Sequence, residues 1–352
     1  MMRMRSSIRH WIEAVLGTVQ QSERTRLLAK FSALGLVLLA SAWLSLHAGR
    51  GDLGDAALSA RFVALRLHRS GVAFLGGAAL AVAGVVVQGL FRNPLASPSV
   101  LGTSSGALFG GELVLVSSYA VLAGAAPFGL SAEMLMPIGC VLGALLSLAL
   151  VLGLAPLRAS AVALLLTGFL LSSLFLSLSE LLKSLVQEKW QLLRVMTTLS
   201  LGNLSGAGPK QLALAGVLVC GSAGPAWLWS RELDLLSSGE EEAASLGVDL
   251  PRLRFWSVVW TAFLTAGAVA VGANAVFVGL IVPHGLRYLF GYAHRTLIPA
   301  AFLGGGTFLL CCDALCRALP LRNELPLSVV TGLIGAPVFL RMLARLERGT
   351  AQ

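Results

Sequence analysis

The ionisable residues of this 352-residue chain fall into three groups whose types and spacing could do chemistry. The first is three carboxylates in or beside long apolar runs, Glu112, Glu180 and Asp313. An acid in such a setting is costly, and an ion or proton pathway is the usual reason to keep one. Glu180 and Asp313 fall near run ends and only Glu112 lies deep, with no obvious partner, so isolated acids give thin support to proton or sodium coupling. The second group is arginine. Arg66 and Arg69 stand at i, i+3 before the second apolar run, and Arg317 closes the ninth. Their planar forks suit bidentate pairing with carboxylates, so they could dock an acidic patch; snorkelling at the membrane edge is the alternative.

The third group is an acidic loop, residues 230–254, which holds Glu232, Asp234, Glu240, Glu241, Glu242 and Asp249. Ser238 followed by Glu241 has the spacing of a capping box, with Gly239 between the cap and the first turn. Glu240 and Glu241 then meet the positive end of a helix that runs through Glu242, Ala243 and Leu246. Gly247 fits a helix stop, and Asp249 with Pro251 can open a second short helix. Two short helices joined by a glycine turn would make a rigid lever for a partner that changes shape; a solvated loop that happens to be helical is the alternative.

Other chemistries find no residues. His10, His47, His68, His284 and His294 form no cluster, and His284 has no Cys, His or Asp at metal spacing. Cys140, Cys220, Cys311, Cys312 and Cys316 sit in apolar runs without a CxxC pair, as small packing residues do. No HExxH or Ser/His/Asp grouping suggests an enzyme, and no GxxxxGK[ST] provides a P-loop. No metal site and no bound cofactor are expected.

The elements that must position these groups are membrane helices. The chain is 56% hydrophobic and only 12% charged, with a mean hydropathy of +0.82, so most of it must be solvated by lipid. The net charge of +9 is scattered singly between apolar runs, without interleaved aromatics, which argues for membrane ends rather than nucleic acid. Apolar runs recur at about 27–46, 67–91, 99–118, 134–156, 161–182, 211–229, 255–273, 276–291, 297–317 and 325–343. None alternates polar with apolar as a barrel strand would. The expectation is an all-α polytopic protein of about ten transmembrane helices. With the N-terminus inside, 16 of the 26 Lys and Arg fall on the cytoplasmic side, which favours cytoplasmic N- and C-termini.

Residues 1–26 read as a cytoplasmic extension, without a secretory pattern, carrying an interfacial helix around Trp11–Val19 or a loosely ordered tail. Residues 27–343 form the transmembrane domain and 344–352 a cytoplasmic tail. Gly77, Ala81 and Gly84, then Gly102, Gly106 and Gly110, and the run Gly304–Gly306 let helix backbones approach closely. In the turn Gln88–Gly102, Pro94 ends one helix near Arg92, and Ser97 with Pro98 at N1 begins the next.

Four stretches occur in order: Gln88–Gly102, Ser238–Pro251, Phe277–Arg287 followed by His294-Arg295, and Glu324–Phe339. Together, over residues 60–343, the chain resembles the permeases of type II ABC importers, which move ferric siderophores, haem and cobalamin. The resemblance implies a dimeric permease, of two copies or of a copy and a paralogue, in the bacterial inner (plasma) membrane. It also implies two ATP-binding-cassette ATPase subunits inside, which use ATP and Mg, and one periplasmic or surface substrate-binding protein outside. By that likeness, helices at 239–246 and 250–254 would seat in the ATPase cleft. Arg66, Arg69 and Arg317 would meet acids on the binding protein. Thr167, Ser172 and Ser173 would line the pathway, and Ser160, Ala161 and Val162 would lie at the inner gate. Two positions depart from the family pattern: His68 replaces a proline between the outer arginines, and Ser97 replaces an acidic N-cap. The implied function is an iron-chelate permease without its own ATPase site, the cargo being a ferric siderophore first, with haem or cobalamin open. An ion-coupled secondary transporter is the alternative.

Overall fold

The computed structural model describes the backbone of residues 2–47, 56–121, 132–154, 161–319 and 324–350, and the side chains of 24–47, 61–119, 135–154, 163–319 and 324–341. Among these residues there are helices and turns and no strand. The helices are α1 (Met2–His47), α2 (Ala56–Leu90), α3 (Thr103–Val121), α4 (Ala132–Leu154), α5 (Ala161–Leu185), α6 (Trp190–Leu201) and α7 (Pro209–Leu228). They continue with α8 (Ser230–Ser237), α9 (Glu240–Ser245), α10 (Leu250–Ala270), α11 (Val278–Phe290), α12 (His294–Ala318) and α13 (Leu327–Thr350).

All ten apolar runs fall on helices: α1 to α5, α7 and α10 to α13. Seven described segments are long and apolar enough to cross a membrane, and the shorter apolar helices are α11 and residues Leu327–Arg341 of α13. The backbone of residues 2–26 runs into the first span as one continuous helix, α1.

α2 is the hub. Its apolar stretch is 83% buried, against 6% for α1, which presents Leu36, Val37, Leu39 and Trp43 outward. Small residues make the hub possible. A Cβ on Gly77 would lie 2.2 Å from the Gly305 carbonyl of α12, and one on Gly84 1.9 Å from the Gly279 carbonyl of α11. Backbones meet there without side chains between them, the contact that drives helix association where lipid offers no hydrophobic force.

The 13 residues of α11 rise only ~20 Å, less than a ~30 Å hydrocarbon core. The irregular chain entering α11 is buried at Val271–Ala273 and exposed at Val276. Asn274 Nδ2 ties it to α6 by donating to the Ser200 carbonyl at 2.8 Å, and Leu327 N–H ties the start of α13 to the end of α6 by donating to the Gly202 carbonyl at 3.1 Å. At the far end of α11, Lys30 of α1 donates to the Leu289 carbonyl, a cation meeting a helix C-terminus.

The turn after α2 departs from expectation in one detail. Pro98 is at N1, but it opens a 3-10 turn, Pro98–Leu101, ahead of α3. Ser97 caps no backbone N–H, because its hydroxyl pairs with Ser99 Oγ at 2.7 Å.

Gly84→Val should destabilise the protein by about 1–3 kcal/mol through overpacking against α11. Thermal unfolding in detergent checks this; an unshifted midpoint would show that the two backbones can separate freely.

Candidate functional site

The acidic segment is built from the end of α7 inward. Trp229 (φ −86°, ψ 10°) turns the chain into α8, and Gly239 (φ 138°) turns it again into α9. The expected Ser238–Glu241 capping box does not form, since Gly239 is the N-cap and Ser238 closes α8, its N–H reaching the Leu235 carbonyl. The first turn of α9 is therefore Glu240, Glu241 and Glu242, all favoured by the helix dipole. α9 ends as expected at Gly247 (φ 88°), where Gly247 N–H bonds Ala244 O and Val248 N–H bonds Ala243 O, both at 3.0 Å.

The second short helix, expected over 250–254, is instead the first turn of α10. Asp249 caps it by accepting the Arg252 N–H at 3.1 Å, with Pro251 in the first turn. Neither Gly nor Pro follows until Gly267, so nothing stops the helix before the membrane.

α9 has two faces. Ala243 is fully buried in an apolar cluster with Leu233, Leu236, Leu253 and Phe91. Glu240 faces the same way, 2.8 Å from Arg254 and 4.0 Å from Arg92. Glu241, Glu242 and Leu246 face out. Beside it, Asp234 of α8 accepts the His294 N–H at 2.8 Å and pairs with its Nδ1 at 2.6 Å, placing a carboxylate at the start of α12. The segment thus grips α2, α10 and α12. Sequence spacing missed Asp234, His294, Arg92 and Arg254 as a set, because the Arg92–Glu240 contact spans 148 positions and the Asp234–His294 contact 60.

The opposite end carries a second charge cluster. Arg69 Nε donates to Asp313 at 2.9 Å, and its two terminal nitrogens hold Glu324 at 3.1 and 2.8 Å. Arg317 Nε donates to the other Asp313 oxygen at 3.1 Å, while its terminal nitrogens reach Ser45 O and Oγ at 2.9 and 2.6 Å. Arg66 donates to the Leu46 carbonyl at 2.7 Å. Two arginines thus meet two carboxylates. Asp313 is not the isolated acid the sequence suggested but a fully buried bridge between α2 and α12. Arg69 and Arg317 are turned inward, with side chains 13% and 6% exposed.

Glu112 also has partners. It is fully buried, 3.4 Å from Lys183, and accepts from Ser200 Oγ at 3.0 Å. Lys183 also reaches Glu180 and Ser200 at 2.9 Å each, joining α3, α5 and α6.

The expected pathway residues separate. Ser173 is exposed on α5, Thr167 is half-buried, and Ser172 turns inward to donate to Ser99 O and Gly168 O at 2.9 Å each. The outward face of α5 is Phe169, Leu170, Ser173, Leu174, Ser177 and Leu181. Ser160 and the side chains of Ala161 and Val162 lie outside the described residues. Among the described residues, no group of three His, Cys, Asp or Glu could hold a metal ion.

The body is many-helical, with α8 and α9 between them tied to α2, α10 and α12, and its relatives define the chain as a permease subunit of an ATP-binding-cassette importer. It belongs to the FecCD transport family, whose model matches residues 27–345. It is 35% identical over 288 residues to the molybdate import system permease protein of Haemophilus influenzae, covering 81% of each chain. It is 35% identical to the hemin transport system permease protein of Yersinia pestis, covering 80% of this chain and 82% of that one. The Fe(3+) dicitrate transport system permease protein of Escherichia coli is 36% identical, with 80% and 84% covered. Among solved structures, an inward-facing conformation of a metal-chelate type ABC transporter matches with a TM-score of 0.79 at 32% identity, covering 90% of this chain and 99% of that one. The protein is accordingly a multi-pass protein of the inner (plasma) membrane.

Lys183→Met should cost about 3–5 kcal/mol by leaving buried Glu112 unmatched, Glu112→Gln should cost less because Lys183 keeps Glu180, and Glu112→Gln with Lys183→Met together should cost less than Lys183→Met alone. Denaturation midpoints of the three variants decide this; a double variant as poor as the sum would deny the pairing.

Proposed function

We propose that this chain forms the translocation pathway for an iron chelate, with a ferric siderophore as the first cargo, and that ATP and Mg are used by two ATPase subunits bound on its inner face. In this reading both termini are cytoplasmic, α9 enters the ATPase cleft, and Glu241, Glu242 and Leu246 are its contacts. The observation that carries the reading is the seat of α9: one face buried on the spans, the other offered to a partner. The cargo follows from likeness, since hemin and Fe(3+) dicitrate permeases are among the relatives. A molybdate permease at equal identity leaves the ligand around the metal as the property to measure.

The outward face of α5 is assigned to the second permease subunit, a copy or a paralogue, with the pathway between them. A substrate-binding protein docks outside through Arg66, Arg69 and Arg317. An acidic partner would meet Arg66 first, because Arg69 and Arg317 are already paired within the chain. The ion-coupled alternative loses the residues it would use, since Glu112, Glu180 and Asp313 all have fixed cation partners.

Two measurements test this. Glu241→Lys with Glu242→Lys should lower ATPase capture by detergent-solubilised permease roughly five- to tenfold, as reversal of two rim charges does; undiminished capture would remove α9 from the interface. Arg66→Glu should weaken affinity for the binding protein that co-purifies with the transporter by a similar factor, read by surface plasmon resonance. Uphill uptake by the permease alone, on an ion gradient, would end the reading altogether.

A further inference from the structure

The three glutamates of α9 look equivalent in sequence, but they are not equivalent in space. Glu241 and Glu242 are exposed, whereas Glu240 points back across the root of the membrane domain. Its Oε2 is 2.8 Å from Arg254, whose side chain is only 7% exposed one turn into α10. Its Oε1 is 4.0 Å from Arg92, at the end of α2. Arg92 has φ 50°, in the left-handed region where glycine is the usual residue. It closes α2 by donating its N–H to Gly89 O at 3.2 Å, and Asn93 N–H reaches Gln88 O at the same distance. A long cationic side chain held in that conformation, with its end toward Glu240, is a strained position with a stated use.

We infer that Arg92, Glu240 and Arg254 form a clamp, in which Glu240 is a positioning residue that locks α9 to α2 and α10 and makes no contact with the ATPase. This rests on the placement of α9 at the ATPase interface, and it divides the segment by task. Glu241 and Glu242 receive the partner, while Glu240 passes its displacement to the membrane. α9 is six residues long and leaves Gly239 and Gly247 at its two ends, each with positive φ and with no neighbour near enough to meet a Cβ. Ala243 seats its middle on the apolar cluster, so the ion pairs supply the contact that resists sliding along that surface. Without them a push on α9 would be absorbed at two glycines. With them it moves the hub helix α2 and the long helix α10 together.

The experiment uses the permease assembled with its ATPase partner in lipid nanodiscs, with exposed Cys220 replaced by serine. Spin labels at Ser245→Cys on α9 and Phe255→Cys on α10 report their separation in ATP and in ADP. The clamp requires a single narrow distance that is the same in both states. In Glu240→Gln that distance should broaden and shift with nucleotide, while ATPase capture stays within about twofold of the parent. Arg254→Gln should do the same, and the double variant should be no worse than either. Arg92→Gln, at the more exposed end, serves if Arg254→Gln does not fold. A Glu240→Gln variant with an unchanged narrow distance would overturn the clamp. So would a loss of capture equal to that of the Glu241, Glu242 charge reversal, which would make Glu240 a docking contact. Should that charge reversal leave capture intact, α9 is not the docking helix, and the label distance still decides whether the clamp exists.

Discussion

Lipid cannot hydrate an ionised side chain, so the charges drawn below the surface of this protein must be matched from within. Two of these matches join elements distant in sequence, Glu112 with Lys183 across α3 and α5 and Arg69 with Asp313 across α2 and α12, and a third, Glu240 with Arg254, joins the successive helices α9 and α10. Such pairs add little net stability, because desolvation consumes most of the attraction. What they impose is register. A helix that slid by one turn would carry its charge away from its partner and leave two ions unmatched in a low-dielectric setting. The cluster around Asp313 shows this best: Asp313 gives one oxygen to Arg69 and the other to Arg317, and Ser45 accepts from both terminal nitrogens of Arg317, so α1, α2 and α12 are fixed at one level.

Between those charged ends, close approach of small residues does the packing. α2 can be a hub because Gly77 and Gly84 let α12 and α11 reach its backbone. The irregular chain before α11 is tied to α6 by Asn274, which donates to the Ser200 carbonyl, and two residues on, Gly202 accepts the Leu327 N–H of α13.

These two constraints meet at α8 and α9. α8 and α9 are too short to be stable alone. They are helical because apolar residues bury them on α2 and α10, and because Asp234 and Glu240 tie them to His294 and Arg254. A motif that is held rather than self-supporting moves with its support. This suits a subunit that receives work from a nucleotide-hydrolysing partner and has no P-loop of its own.

The sequence by itself determined the solvent, the fold class and the ten apolar helices, because a run of apolar residues is a local property that lipid reads directly. It also determined the stop of α9 at Gly247 and the cap of α10 at Asp249, which depend on residues a few positions apart. The continuation of helix 250–254 into the membrane was also legible, because neither Gly nor Pro interrupts residues 252–266, although the cap alone marks only a start. It could not show that Arg69 is held by Asp313 and Glu324, that Glu112 has a lysine, or that Glu240 reaches Arg254 while Glu241 faces out. Those facts depend on which helix lies beside which, and charge alone carries no address. Only the tertiary structure, by bringing residues more than 200 positions apart within hydrogen-bond reach, decided which charges are internal struts and which remain for a partner.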